Sequence, residues 1–260
     1  MIFFHKMIKI KIQCNMKKVH FGVLKLRKWV VNGIIAFILC FVAGFAAIAG
    51  FEGIVSVSTT VCGVYYNGDK TSKNISLMIN VYWGTEFVQP MLEIMAEKGV
   101  KTTFFVGGTW AVKESECLEN IYNAGHEIGN HGYHHKDHDK ISEEENINQI
   151  KNTHTIVKEL IGIDMNLFAP PSGAYNKTTV ASASGLGYKT IMWTRDTIDW
   201  RDHNADLIYN RAIKNACGGD LVLMHPTEAT LKALPRIIDA LQSQGFSLTT
   251  VSENIGQVES

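Results

Sequence analysis

The chain has 260 residues, 46% of them hydrophobic, and a formal net charge of zero, which suits a short appendage plus one domain with a sizeable core. Eight of its 25 basic residues (Lys6, Lys9, Lys11, Lys17, Lys18, Lys25, Arg27 and Lys28) precede the first acid, Glu52, leaving 17 basic against 25 acidic residues, a balance of −8, from residue 51 onward. That acidic remainder argues against a nucleic-acid partner, because phosphate contacts need clustered Lys and Arg.

Residues 1–29 read as a basic cytoplasmic tail. Within it, Met16-Lys17-Lys18 has the form of a translation start, which marks residues 1–15 as an upstream extension. Residues 30–51, VVNGIIAFILCFVAGFAAIAGF, are an almost unbroken apolar run. As a helix they span about 30 Å, the thickness of a hydrocarbon layer. The basic flank orients a single-pass anchor with its N-terminus in the cytoplasm and the remainder outside. The competing reading is a secretory signal cleaved near Ala49, since Ala47-Ile48-Ala49 has the small-x-small form that a signal peptidase reads. Residues 52–73 read as a Ser/Thr/Gly-bearing linker with a short strand over 61–66, and residues 74–260 as the domain. The cysteines (Cys14, Cys40, Cys62, Cys117 and Cys217) show no CxxC spacing, so neither a zinc knuckle nor a disulfide framework is read from them.

From residue 75 the chain alternates short apolar runs with amphipathic stretches. The runs are 75–83, 102–107, 126–131, 167–171, 188–193, 220–225 and 246–251. Helices are predicted over 86–98, where Val88, Met91, Leu92 and Met95 share a face, and over 142–161, where Ser142 and Glu145 form a capping box. Two more are predicted over 204–216 and 230–244. Seven strand-like runs alternating with helices imply βαβ units and a parallel sheet or barrel. In such a barrel chemistry sits at the C-terminal strand ends. Asn80 to Gly84, His131, Asp196 with Asp199, and His225 all fall there, and the fold is expected to gather them on one rim.

Two imidazoles in His131-Gly-Tyr-His134-His135 can face one metal ion such as zinc, although His-rich loops also occur as plain solvated loops. His225 ends an apolar strand, where a lone His is usually a packed residue. Asp196 or Asp199 would instead orient it, the usual way of setting an imidazole for general-acid work. Trp83, Trp110, Trp193, Trp200 and Tyr175 are candidates for stacking on pyranose faces, and core packing is the competing role for at least half of them.

Five segments occur in the order seen in polysaccharide deacetylases: GVKTTFFVGGTW, AGHEIGNHGYHH, LFAPPSGAYN, IMWTRDTIDW and GDLVLMHPTEATLKALPRIIDALQSQGFSLTTVSE. Residues 73–255 thus resemble the chitooligosaccharide deacetylase homology domain, and WGTE and DTIDW look most like its sporulation-associated branch. The resemblance implies a distorted, incomplete (β/α) barrel that removes acetyl groups from N-acetylated sugars of chitin, peptidoglycan or related glycan. It also implies a divalent metal, held by one Asp and two His, with a second Asp as base and a late His as acid. His131 and His135 match the metal-binding histidines, His225 the acid, and Asp196 or Asp199 its supporting carboxylate. Trp193 matches a pocket-wall aromatic, with Pro171 and Tyr175 as further substrate-contacting candidates. The pattern departs at three positions. Asn80 stands where the base Asp is expected, Val81 at the third ligand position, and Ala169 where an Arg would pair with the base. An amide does not accept a proton near neutral pH, and Val offers no lone pair. Two functions are compatible with this pattern: a deacetylase, weakly active with Glu86 or Asp137 as substitute base, or a non-catalytic glycan-binding or scaffolding domain. The partners expected are cell-wall glycan and the membrane.

Overall fold

The structure, a computed structural model, describes Phe37 and residues 63–256. The chain divides into two units, Met1–Val55 and Ser56–Ser260, and the second carries the sheet. The tail and the apolar run 30–51 lie outside the described residues, Phe37 apart. Among the described residues no helix is long and apolar enough to cross a membrane.

The elements run in chain order: β1 (Val64–Tyr65), β2 (Asn74–Val81), α1 (Thr85–Glu97), β3 (Thr103–Val106), α2 (Gly108–Lys113), α3 (Ser115–Asn123), β4 (Glu127–Asn130) and α4 (Glu143–Ile161). Then come β5 (Leu167–Phe168), α5 (Lys177–Gly185), β6 (Lys189–Ile191), β7 (Arg195–Asp196), α6 (Asp199–Asp202), α7 (Ala205–Ile213), β8 (Leu221–Met224), α8 (Glu228–Ser243), β9 (Ser247–Leu248) and α9 (Val251–Ile255). The seven apolar runs and four amphipathic stretches each hold an element of the expected type. Helices α2, α3 and α5 and the short pieces β7 and α6 carry no periodicity long enough to read.

All pairings are parallel, in the order β1-β6-β5-β4-β3-β2-β8-β7, with β9 also against β2. The sheet is a curled parallel half-barrel, as expected. Strand β2 lies inside the sheet, between β3 and β8. Its sequence NISLMINV is buried on both faces, as a parallel strand between two layers must be. Ile75, Leu77, Ile79 and Val81 pack into the large core shared with the helices, whereas Met78 joins Phe105, Leu167, Ala169, Ile191, Leu221 and Val251 on the concave side. By the two-residue period Asn80 follows Met78 onto that concave side, at the end of the strand where the barrel opens.

Helix α4 shows how local chemistry sets the frame. The Ser142 hydroxyl caps it by accepting the Glu145 N–H at 3.2 Å, and three acids in the first turn complement the helix dipole. Only half of the expected capping box forms, because the Glu145 carboxylate takes Lys136 at 2.7 Å and Gln149 at 2.9 Å instead. Gly162 ends the helix in the left-handed region, where the missing Cβ removes the penalty.

Candidate functional site

The C-terminal strand ends open into a cleft of about 580 Å³ lined by Asn80, Tyr82, Trp83, His131, His135, Ser172, Trp193, Asp196, Trp200, Leu223 and His225. Residues separated by more than 140 positions in sequence therefore share one rim.

The histidine loop is clamped from three sides. The His131 N–H donates to the Val106 carbonyl at 2.9 Å, which continues the ladder beyond β4. The first amides of α2 donate to the loop, Gly108 to the Gly132 carbonyl at 2.9 Å and Thr109 to the Tyr133 carbonyl at 3.0 Å. Gly107 and Gly108 allow this approach: a Cβ would stand 2.3 Å from the Tyr82 ring at the first and 2.2 Å from the Tyr133 ring at the second. From the other side, the Gln149 side-chain oxygen accepts the N–H groups of Tyr133 at 3.0 Å and His134 at 2.6 Å. Asn146 holds His138 in the same way, its Oδ1 lying 2.6 Å from His138 Nδ1. The buried face of α4 is polar at Asn146 and Gln149 because it serves this loop.

His131 is buried, and its Nδ1 donates to the Ala169 carbonyl at 2.7 Å, which leaves Nε2 unprotonated and turned to the cleft side. The His131 and His135 rings stand 5.1 Å apart at 73°. Burial, and next the neighbouring His135, push His131 well below the usual imidazole range, and burial lowers His135 as well.

On the opposite wall Asp199 is fully buried and receives four donors. These are the backbone N–H of His225 at 2.6 Å, His225 Nδ1 at 2.8 Å, the Thr230 hydroxyl at 2.6 Å and the Trp200 N–H at 2.9 Å. The choice left open by the sequence is thereby made: Asp199 orients His225, while Asp196 lines the cleft with one oxygen accepting the Ile198 N–H at 2.8 Å. Ile198 adopts φ 54°, unusual for a β-branched residue, and this turn swings Asp199 back under His225. Trp83 lies parallel to the His225 ring, with centroids 5.8 Å apart at 7°. The next residue, Gly84, packs closely on the segment after His225: an added Cβ would stand 2.1 Å from the Pro226 carbonyl oxygen.

Some candidates fall elsewhere. Pro171 is buried against Gly132 of the histidine loop and Tyr175 bonds the Tyr66 hydroxyl through its own, and neither is among the residues lining the cleft. Trp110 packs in the helix-side core, its indole N–H donating to Thr85 at 2.9 Å. Glu86 is exposed and outside the lining, and Asp137 pairs with Lys140 at 2.6 Å. Tyr82, Ser172 and Leu223 join the lining although no motif marks them individually; the place of Tyr82 just past the end of β2 is the one signal that could have found it. Cys117 and Cys217 carry free thiols, and burial pushes that of Cys117 up to about 11.

The donor set does not fit the implied metal. A catalytic zinc takes three protein ligands. His131 and His135 supply two, but Val81 is fully buried in the helix-side core and brings none. Among the described residues no group of three or more His, Cys, Asp or Glu side chains is placed to hold a metal ion. Asn80 is 4% exposed, and its Oδ1 is buried with no hydrogen-bond partner among the described residues.

Comparison with known proteins gives this geometry its relatives. Residues 67–191 match the family model described as polysaccharide deacetylase. The chain is 35% identical over 188 residues to the uncharacterised protein YlxY of Bacillus subtilis, covering 72% of this chain and 59% of that protein. It is 30% identical over 191 residues to a peptidoglycan-N-acetylglucosamine deacetylase of Bacillus cereus, covering 72% of this chain and 70% of the relative. Among solved structures it is similar to a CE4 family pseudoenzyme from Bacillus anthracis, with a TM-score of 0.73, 34% identity, and coverage of 75% of this chain and 69% of that one. A mutant of that pseudoenzyme, described as having restored enzymatic activity, matches at the same TM-score with 33% identity, over 75% of this chain and 71% of that one.

Proposed function

The chain belongs to the polysaccharide deacetylase family, and from that premise we propose that its cleft binds N-acetylated cell-wall glycan while lacking the machinery for efficient deacetylation. One observation carries this reading. The cleft keeps its acid side, His225 on Asp199, and its imidazole pair, but the position of the proton acceptor is the amide Asn80. Loss of a general base costs typically 10²–10⁴-fold in rate. The missing third ligand at Val81 and the missing Arg at Ala169 belong to the same retreat. An Arg facing an amide would be a cation without its counter-charge in a half-buried cleft, so the two losses favour each other. The solved relative called a pseudoenzyme supports the reading by analogy.

Peptidoglycan is the proposed glycan, because relatives named for that substrate match over most of the domain. The apolar run 30–51 would anchor the domain outside the cell, against the wall, and cleavage near Ala49 is the alternative route to the same compartment. A role in sporulation is proposed on WGTE and DTIDW alone. The test is to give the full chain purified peptidoglycan and N-acetylglucosamine oligomers and to measure both retention and acetate release. Binding with acetate release at least about 10²-fold below that of an active relative is expected. Turnover comparable to the active relative, sensitive to a chelator and abolished by His131→Ala, would overturn the proposal.

A further inference from the structure

We infer that His131 and His135, one ligand short of a metal site, serve as hydrogen-bond acceptors for hydroxyl groups of the bound sugar, so that this cleft takes its glycan without a metal. The inference rests on the glycan-binding reading above and assigns the imidazole pair a task within it. Its basis is the way each ring is held. The His131 Nδ1–H donates to the Ala169 carbonyl at 2.7 Å, which fixes the tautomer and leaves the Nε2 lone pair on the cleft side. The half-buried His135 ring rests on Tyr82, with centroids 4.9 Å apart at 40°. The Tyr82 hydroxyl in turn accepts from the Thr109 hydroxyl at 2.8 Å. A backbone carbonyl and a packed ring therefore set the two imidazoles, and neither needs an ion to keep its place.

The donor count decides what the pair can hold. A catalytic zinc takes three protein ligands, and Val81, buried in the helix-side core, supplies no third. An imidazole without a metal keeps the lone pair that the metal would have used, and a sugar hydroxyl is a neutral donor that can fill it. The opposite wall has the same character. Asp196 accepts the Ile198 N–H at 2.8 Å with one oxygen, and its second carboxylate oxygen adds another acceptor. Beside these acceptors the indoles of Trp83 and Trp200 are 44% and 50% exposed. The cleft thus suits a guest with hydroxyl donors around its edge and apolar faces, which is the surface of a pyranose.

The experiment follows binding of a tetramer of N-acetylglucosamine to the full chain through tryptophan emission, once in EDTA and once with equimolar zinc. The two affinities should agree within about twofold. His135→Leu should bind about five- to tenfold more weakly, and His135→Gln, which restores an acceptor, should recover most of that loss. A nitrogen spectrum of the ¹⁵N-labelled wild-type chain in EDTA reads the atom itself: the unprotonated Nε2 of His131 should move toward the hydrogen-bonded position when the tetramer is added. A purely structural imidazole would not show that shift. Affinity lost in EDTA and recovered with zinc would overturn the inference while leaving the glycan-binding reading intact. A Leu variant that binds like wild type, a Gln variant as weak as Leu, or an unmoved Nε2 signal would each do the same. Failure to bind the tetramer under either condition would overturn both. The wild-type measurements decide even if the variants do not fold.

Discussion

Replacing Asp199 by Ala removes one fully buried carboxylate and strands its donors. The His225 N–H, His225 Nδ1 and the Thr230 hydroxyl each approach it within 2.8 Å, and Thr230 itself is fully buried. A buried donor left without a partner costs roughly 1–3 kcal/mol. The Thr230 hydroxyl keeps the Thr227 hydroxyl at 2.8 Å as a partner, so the loss rests on the two His225 donors and comes to about 1–3 kcal/mol, the relieved desolvation of the carboxylate being the opposing effect. Asp199→Asn keeps the shape and one acceptor but aims an NH₂ at the other donors, and should cost less, about 1–2 kcal/mol. Urea unfolding followed by tryptophan emission gives both values, and the denaturant slope should not change, since neither variant alters the surface exposed on unfolding. An Asp199→Ala loss below about 1 kcal/mol would refute the assignment of Asp199 as the buried anchor of His225.

Asn80→Leu should raise stability by about 1–2 kcal/mol in the same assay, because it removes a buried oxygen that lacks a donor. Trp83→Ala should weaken glycan binding about tenfold yet change stability by less than ~0.5 kcal/mol, since the indole is half-exposed; calorimetry and urea unfolding separate the two. Isothermal titration with zinc should show no tight one-to-one site in the wild-type chain, because two imidazoles fall one ligand short. Stability should fall as pH drops. Burial, and then the positive charge of Lys101, lower the His126 pKa from 6.5 to about 4 in the folded chain. Above 6.5 both states are neutral there and its contribution is fully present. Between 6.5 and about 4 the unfolded chain takes up a proton that the folded chain refuses, which costs about 3 kcal/mol at ~1.4 kcal/mol per pH unit. His131, His135 and His138 are lowered in the same direction, so His126→Gln should reduce the slope of a pH-dependent melting series without abolishing it.

The strands were legible because a parallel sheet covered on both faces demands apolar runs, and β2 to β6 and β8 lie in such runs, whereas the two-residue β7 does not. Their C-terminal ends pointed to Asn80, His131 and His225 for the same reason. What the sequence withheld was the choice between Asp196 and Asp199, which depends on a left-handed turn at Ile198 that no β-branched residue announces. It also withheld the clamp on the histidine loop. Asn146 and Gln149 look like ordinary polar helix residues until the fold turns them inward, where they hold His138 and the amides of Tyr133 and His134. Nothing in the sequence singled out Gly107 and Gly108; the rings of Tyr82 and Tyr133 give the physical reason for both. The bond between the Tyr175 and Tyr66 hydroxyls, a contact 109 residues apart in sequence, was likewise not legible.

The way His131 is held explains how the base side was lost while the cleft kept its shape. Its Nδ1 bonds a backbone carbonyl, that of Ala169, and a backbone carbonyl survives any change of side chain at that position. An Arg could therefore give way to Ala169 without releasing the imidazole. The acid wall is independent again, since Asp199 draws its donors from Trp200, His225 and Thr230 and from none of the altered positions. With both walls anchored separately, substitution at residues 80, 81 and 169 leaves one local defect, the unanswered oxygen of Asn80. A cleft that keeps its walls and loses its proton acceptor retains the surface that selects a glycan, which is why binding survives in this reading where turnover does not.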